Sequence, residues 1–322
     1  MAVAVAVGFG TAGLPAKAQE YPTKAIDMIV GLSAGGGVDN AARALAAAMQ
    51  PYLNGQPAVV INKPGGSGVP AMKYVAQSEP DGYTVMVSSS GAAILGQLMR
   101  DRGIDMFSDF VQIGQITDNA LAVFTHKDSG WDTPKKLVAA IEKAHAEGKK
   151  LRWGHAGRGS ITFFTAVSWL IENDLLDKVQ DVPFQGGSSA RVALVGKQVD
   201  FSSAALTNLT GFETQINAVG IYSEERDPTR PDVKTLIEQG TPTIPMSNPV
   251  TVMGPKDMPK ERVAILSEAI KKAVATDMYV KATQKNGQPA IYRDSEASTK
   301  LLEDRREKWT PVIEYIKKNM SQ

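Results

Sequence analysis

The sequence predicts an α/β protein in two lobes, each a mainly parallel sheet flanked by helices. Three observations carry this reading. Strand and helix alternate as βαβαβ from the start, the scheme recurs mid-chain, and each half holds a glycine-rich loop that opens into a helix. Residues 25–30 are a short apolar run of buried-strand type. Val38, Ala41, Ala42, Leu45 and Met49 then line one helix face, with Asp39 in the first turn, where negative charge suits the helix dipole. Strand 58–62, a Pro64-Gly65-Gly66-Ser67-Gly68 loop, helix 69–77, the turn Pro80-Asp81-Gly82 and strand 83–87 follow. Further on, strand 121–124 precedes a helix opened by Thr133-Pro134, and strand 151–153 precedes helix 161–176, capped by Ser160. Ile161, Phe164, Ser168, Ile171 and Leu175 mark that helix's apolar face. A third glycine loop, Gln185-Gly186-Gly187-Ser188-Ser189, feeds helix 190–195 and strand 199–201. Prolines between 245 and 259 surround Val250-Thr251-Val252-Met253, one extended crossing segment. Two helices close the chain, the last over 298–318 with an interruption or kink at Pro311.

Composition narrows the function. At 322 residues the chain is long for one core, and two domains are expected. Lys+Arg 35 against Asp+Glu 34 leaves almost no net charge, which argues against general nucleic-acid binding. Cysteine is absent, which excludes disulfides, thiol catalysis and cysteine metal sites. Residues 1–18 read as a secretory signal without its basic start: 2–9 are apolar, and Ala16-Lys17-Ala18 offers small residues at a cleavage point. Periplasmic export is therefore expected, and no run is long enough to span a bilayer.

The chemistry is concentrated in the glycine loops. Glycines let backbone N–H groups turn inward, and a helix start adds unpaired N–H groups and partial positive charge. Together they seat an anion. The first seat is Ser33-Ala34-Gly35-Gly36-Gly37-Val38-Asp39 and the second Gly154-His155-Ala156-Gly157-Arg158-Gly159-Ser160. Ser88, Ser89 and Ser90, at a strand's carboxyl end, are further donors into the cleft. Arg158 can fork onto a carboxylate, and His155 sits at a strand end where ligands gather. Nucleotide fingerprints fail, because Asn40 takes the third glycine place of G-x-G-x-x-G and Gln198 follows Gly196-Lys197. Gly31-Leu32-Ser33-Ala34-Gly35 matches the nucleophile elbow G-x-S-x-G, yet His126, His145 and His155 carry no local signature of a partner base. No catalytic residue, metal or cofactor is expected.

Several motifs, in order, resemble the tripartite tricarboxylate transporter substrate-binding proteins, the Bug family. They are Tyr21-Pro22-Thr23-Lys24, Gly35-Gly36-Gly37-Val38-Asp39, Asn62-Lys63-Pro64-Gly65-Gly66-Ser67-Gly68, Pro80-Asp81-Gly82-Tyr83-Thr84, Ala156-Gly157-Arg158-Gly159-Ser160, Pro183-Phe184-Gln185-Gly186-Gly187 and Gly196-Lys197-Gln198-Val199-Asp200. The stretch Arg230-Pro231-Asp232-Val233-Lys234-Thr235 through Gly240-Thr241-Pro242 continues the set.

The resemblance implies a type II-like periplasmic binding fold with two crossover segments. Lobe 1 would hold 19–122 and 250–322, and lobe 2 would hold 123–249. It implies a monomer that takes a small organic carboxylate to transporter membrane subunits, held by the loops at 33–39 and 156–160. Thr162, Phe163, Gly187 and Ala204 join the expected contacts. Three positions depart from the family: Leu32 stands where phenylalanine is usual, Phe163 where histidine is frequent, and Ala204 near a frequent aspartate. The resemblance thus implies a carboxylate with an apolar or aromatic body (a dicarboxylate or an aromatic acid) rather than an amino acid. Alternative readings are a ligand-presenting sensor component or a hydrolase or lyase using the same cleft.

Overall fold

The computed structural model describes residues 20–319. The expected signal segment at 1–18 lies outside the described residues. Nine strands and nine α-helices form among the described residues. The first part runs β1 (Ile26–Val30), α1 (Gly37–Met49), β2 (Ala58–Asn62), α2 (Val69–Ala76), β3 (Thr84–Ser89) and α3 (Ser90–Met99). The central part holds β4 (Phe110–His126), α4 (Pro134–Ala146), β5 (Leu151–His155), α5 (Ile161–Glu172), β6 (Val179–Pro183), α6 (Gly187–Val195), β7 (Phe201–Ala205) and β8 (Ile216–Ile221). The chain finishes with β9 (Ser247–Pro255), α7 (Lys260–Val274), α8 (Asp277–Gln284) and α9 (Ser295–Asn319).

All nine strands join one continuous sheet in the order β2-β1-β3-β9-β4-β7-β5-β6, with β8 also on β4. Strand β4 makes it two-lobed. Residues up to Ala120 pair antiparallel with β9, and from Leu121 onward they pair with β7 and β8. The parallel βαβ units are β1 with β2 and β3, and β5 with β6 and β7. Each lobe adds antiparallel pairings where the crossing strands β4 and β9 enter, because a strand that leaves a lobe runs against those that build it. Parallel strands put their carboxyl ends, and the loops after them, along one edge of each lobe.

Sequence pattern and packing agree in most elements. Helix α1 buries Val38, Ala41, Ala42, Leu45 and Met49 against the sheet, and Thr133 caps α4 by accepting from the Lys136 N–H. Helix α5 differs from its expected single face. Residues 162–170 are all buried, while Ile161 and Ile171 are only half so, because α5 is also packed by α3 and α9. The last helix runs unbroken from Ser295 through Pro311 to Asn319. Buried Val312, Ile313 and Ile316 beyond the proline hold that turn on the core, which offsets the lost N–H bond.

Helix α9 braces both crossing strands. Arg305 donates to the Ser247 carbonyl of β9 (2.9 Å) and approaches Asp118 Oδ2 of β4 (3.4 Å), while Ser247 Oγ donates to the same oxygen (2.7 Å). Trp309, fully buried, donates its indole N–H to the Pro245 carbonyl (3.2 Å). Trp309→Ala is expected to lower stability by about 3–5 kcal/mol through the cavity and the orphaned carbonyl, read as a lower urea midpoint with m unchanged; Trp309→Phe should lose less than half of that.

Candidate functional site

The loop after β1 is exposed from Leu32 to Gly37. Gly31 at its root admits no side chain, since a Cβ would stand 2.9 Å from Gly68 Cα. Gly35 has φ +81°, a left-handed conformation that glycine adopts freely, and its Cα faces open space. Helix α1 begins at Gly37 with Gly36 before it and no side-chain cap. Its leading N–H groups are thus without the side-chain acceptor that helix starts usually carry.

Asp39, expected among the ligand contacts, is engaged within the loop itself. Its side chain is buried. Oδ2 accepts from the Gly35 N–H (2.8 Å) and from Arg43 Nε (3.0 Å), and Oδ1 accepts from Asn62 Nδ2 (2.8 Å). The same Asn62 amide donates to the Leu32 carbonyl (3.1 Å). Asp39 therefore shapes the loop. Burial alone would raise its pKa, but the bonds from Arg43, Gly35 and Asn62 outweigh that and hold it below the ordinary carboxylate range.

The loop after β5 is built differently. Gly157 has φ +95°. Ser160 caps α5 by accepting from the Phe163 N–H (3.2 Å) and donates to the Gly157 carbonyl (2.8 Å). Thr162 Oγ1 accepts from the Ala156 N–H (3.4 Å) and lies 2.9 Å from Ser160 Oγ. This seat is thus partly filled by its own hydroxyls.

Three expected contacts of this lobe have protein partners of their own. Arg158 has its fork filled by Asp181 of β6, with Nε to Oδ2 at 2.8 Å and Nη2 to Oδ1 at 3.0 Å. His155 is fully buried, with Nε2 3.4 Å from Asp181 Oδ2 and its ring packed against those of Trp153 (4.6 Å) and Phe163 (4.9 Å). Desolvation lowers the His155 pKa despite the attraction of Asp181, so the ring is neutral at pH 7. Phe163 is stacked on Trp153 in the core and gives the cleft no aromatic face. The elbow serine, Ser33, lies on the other lobe from this histidine.

At the end of β3 the three serines separate. Ser89 Oγ donates to Asn248 Oδ1 (2.8 Å), an oxygen that also receives the Ala92 N–H of α3 (3.3 Å). Ser88 is buried within the sheet. Ser90, also expected as a donor, is wholly buried with Oγ 2.7 Å from Thr251 Oγ1, which in turn donates to Gln112. Next to it, Gly91 lets the lobes approach: a Cβ there would lie 2.9 Å from the Ser247 carbonyl and 3.1 Å from Ile161 Cδ1 of α5.

A further helix start, that of α6, lacks a side-chain cap; the helix begins at Gly187 behind Gly186. Gly187 faces Ala204, which is buried, and Asn208, each 3.4 Å from where its Cβ would be. A Cβ on Gly37 of α1 would stand 3.3 Å from the Gln288 amide nitrogen, and one on Gly287 3.0 Å from Thr207 Cγ2. Sequence reasoning missed Gln288, Asn208, Asn119 and Asn248. Asn208 follows a strand end, a usable signal. Gln288 follows a helix and carries none.

Other openings look less able to hold an anion. A basin of about 440 Å³ is bordered by Glu213, Arg230 and Asp232, whose charges pair with one another, and the helix start on its rim is capped by Thr133. Among the described residues, no cluster of three or more His, Cys, Asp or Glu side chains could hold a metal ion.

Residues 41–318 match the family model described as the tripartite tricarboxylate transporter family receptor. The chain belongs to this family. It is similar to BugT of Bordetella pertussis, 28% identical over 96% of this chain and 95% of that protein. A TctC solute-binding protein from Polaromonas shares the fold with a TM-score of 0.80 at 24% identity, covering 92% of this chain and 99% of that one. MatC from Rhodopseudomonas palustris, solved with bound malate, aligns with a TM-score of 0.71 at 26% identity over 91% of this chain and all of that one. No helix among the described residues of this receptor is long and apolar enough to cross a membrane.

A depressed carboxylate stabilises the fold above its unfolded pKa and loses that contribution as pH falls through the folded value. Asp39→Asn should therefore cost about 1–3 kcal/mol at pH 7, while the gap to the parent narrows as pH drops from 4 towards 2. Denaturant unfolding across that range checks it; a gap independent of pH would contradict the role given to this charge.

Proposed function

We propose that this chain is a periplasmic solute-binding protein that captures a small organic carboxylate between its lobes and delivers it to a tripartite tricarboxylate-type membrane transporter. The observation that carries the reading is a pair of uncapped helix starts, α1 on one lobe and α6 on the other, beside segments that touch across the crossing strands. Each supplies backbone N–H donors and partial positive charge to an anion. The half-filled seat at α5 adds a third, weaker donor group.

The lobes in this reading are 19–122 with 250–322, and 123–249. Each offers only part of the donor set. An anion held by both gains charge-assisted bonds only in the closed form, so binding shifts the population towards closure. A dicarboxylate fits best, because it can place an anionic end against each lobe; MatC, a relative of similar fold, has malate bound. The case for an aromatic acid is weaker now that Phe163 lies in the core, and exposed Leu32 remains as the apolar element beside the loop. A hydrolytic reading lacks support, since His155 is buried on Asp181, away from Ser33.

A thermal-shift screen of the protein against mono- and dicarboxylates tests the proposal. At a hundred-fold excess over Kd a true ligand contributes about 2.7 kcal/mol, and the melting temperature should rise by roughly 5 °C. Gly35→Val forces a side chain into a left-handed backbone without a clash and should abolish the rise while the fold survives. A flat response to every acid would sink the proposal.

A further inference from the structure

The uncapped starts of α1 and α6 share a second feature that a carboxylate alone does not explain. Gln288 is 2% exposed, and its amide lies against Gly37 at the start of α1. Its Nε2 donates to Asn119 Oδ1 (2.8 Å), and Asn119 Nδ2 donates to the Asn248 main-chain carbonyl (3.4 Å). A main-chain carbonyl can only accept, so both amide orientations are fixed by the chemistry of the chain of bonds. Gln288 Oε1 is left buried and without a partner. On the other lobe Asn208 repeats the arrangement beside Gly187: its Nδ2 donates to the Ala205 carbonyl (3.1 Å), which fixes the amide, and its Oδ1 is buried and unpaired. The segments carrying the two amides run close together, since a Cβ on Gly287 would stand 3.0 Å from Thr207 Cγ2.

Buried acceptors without donors are rare in folded proteins and costly. A carboxylate brings only acceptors, which suit the helix starts but not these oxygens. The donor must come from another group on the same ligand. We propose that Gln288 and Asn208 read a hydroxyl beside the ligand's carboxylate, so that the substrate class is a hydroxy carboxylate; this rests on the carboxylate reading above and narrows it. An ammonium group is a poorer match. The acceptors are neutral amides, the nearby carboxylate of Asp39 is already paired with Arg43, and Ala204 supplies no charge.

Calorimetric titration of the protein with matched acids tests this: succinate against malate, glutarate against 2-hydroxyglutarate, and phenylacetate against mandelate. The best hydroxy acid should bind at least about ten-fold more tightly than its partner lacking the hydroxyl. Gln288→Leu and, separately, Asn208→Leu should pull that ratio towards one, chiefly by weakening the hydroxy acid; either variant suffices if the other fails to fold. Equal binding within every pair, a ratio that survives both substitutions, or aspartate binding more tightly than malate overturns the inference and leaves the carboxylate reading standing. Binding of no acid at all overturns that reading and this one together.

Discussion

The antiparallel pairing of β4 with β9 is the constraint from which the remaining geometry follows. These two strands lie side by side in the middle of the sheet and are the covalent route between lobes. Their register decides where the carboxyl ends of β1, β3, β5 and β6 fall, and hence where four helices start. Arg305 fixes the pair at one point, bonded to Ser247 and facing Asp118. Tyr279 of α8 adds another anchor by donating to the Ile116 carbonyl (2.8 Å). Breaking either partner of a desolvated charge pair is far more costly than the pair's net worth, so Arg305 with Asp118 is better viewed as a geometric specification than as a source of stability.

Helix starts in this protein differ in whether a side chain caps them: α4, α5 and α8 are capped, whereas α1, α2, α3, α6 and α7 are not. Thr133 and Ser160 cap α4 and α5 with their own hydroxyls. Gly36 and Gly186 have no side chain to offer α1 and α6. An uncapped start is a loss of about 1 kcal/mol in an isolated helix, tolerated where another acceptor can arrive. Asp39 shows the complementary economy. A carboxylate inside an anion seat would repel the ligand if free, but with Arg43, Asn62 and the Gly35 amide on it, it instead sets the curvature of the loop.

Much of the fold was legible in the sequence because periodicity and turn chemistry are local signals. The βαβ units around β1 and β5, the cap at Thr133 and the glycine loops were all visible there. Strand β4 was read only over 121–124, because its first half, Phe110–Ala120, mixes Gln, Gly, Thr and Asp and is covered on both faces by other elements rather than alternating. Helices α3 and α8 were missed; α8 is short, and α3 starts within a serine run that reads as a turn. Around the glycine loops, backbone conformation could be read from glycine, whereas side-chain pairing could not. Arg158 and His155 had plausible ligand chemistry, and only the fold reveals that Asp181, some 25 positions along the chain, engages both. Gln288 was invisible for the opposite reason: nothing local marks it, and its partner Asn119 lies 169 positions away.

One half of the sheet, β1, β2, β3, β9 and the first part of β4, is assembled from both ends of the chain, and this has a consequence for biosynthesis. A nascent polypeptide can complete β5, α5, β6, α6, β7 and β8 before β9 has been made. Until β9 arrives, β3 and the first half of β4 lack the neighbour they share. Both then present open hydrogen-bonding edges, the kind of surface that invites wrong partners. The inserted half can therefore mature early, while the half that surrounds it must stay pliable until the final quarter of the chain emerges.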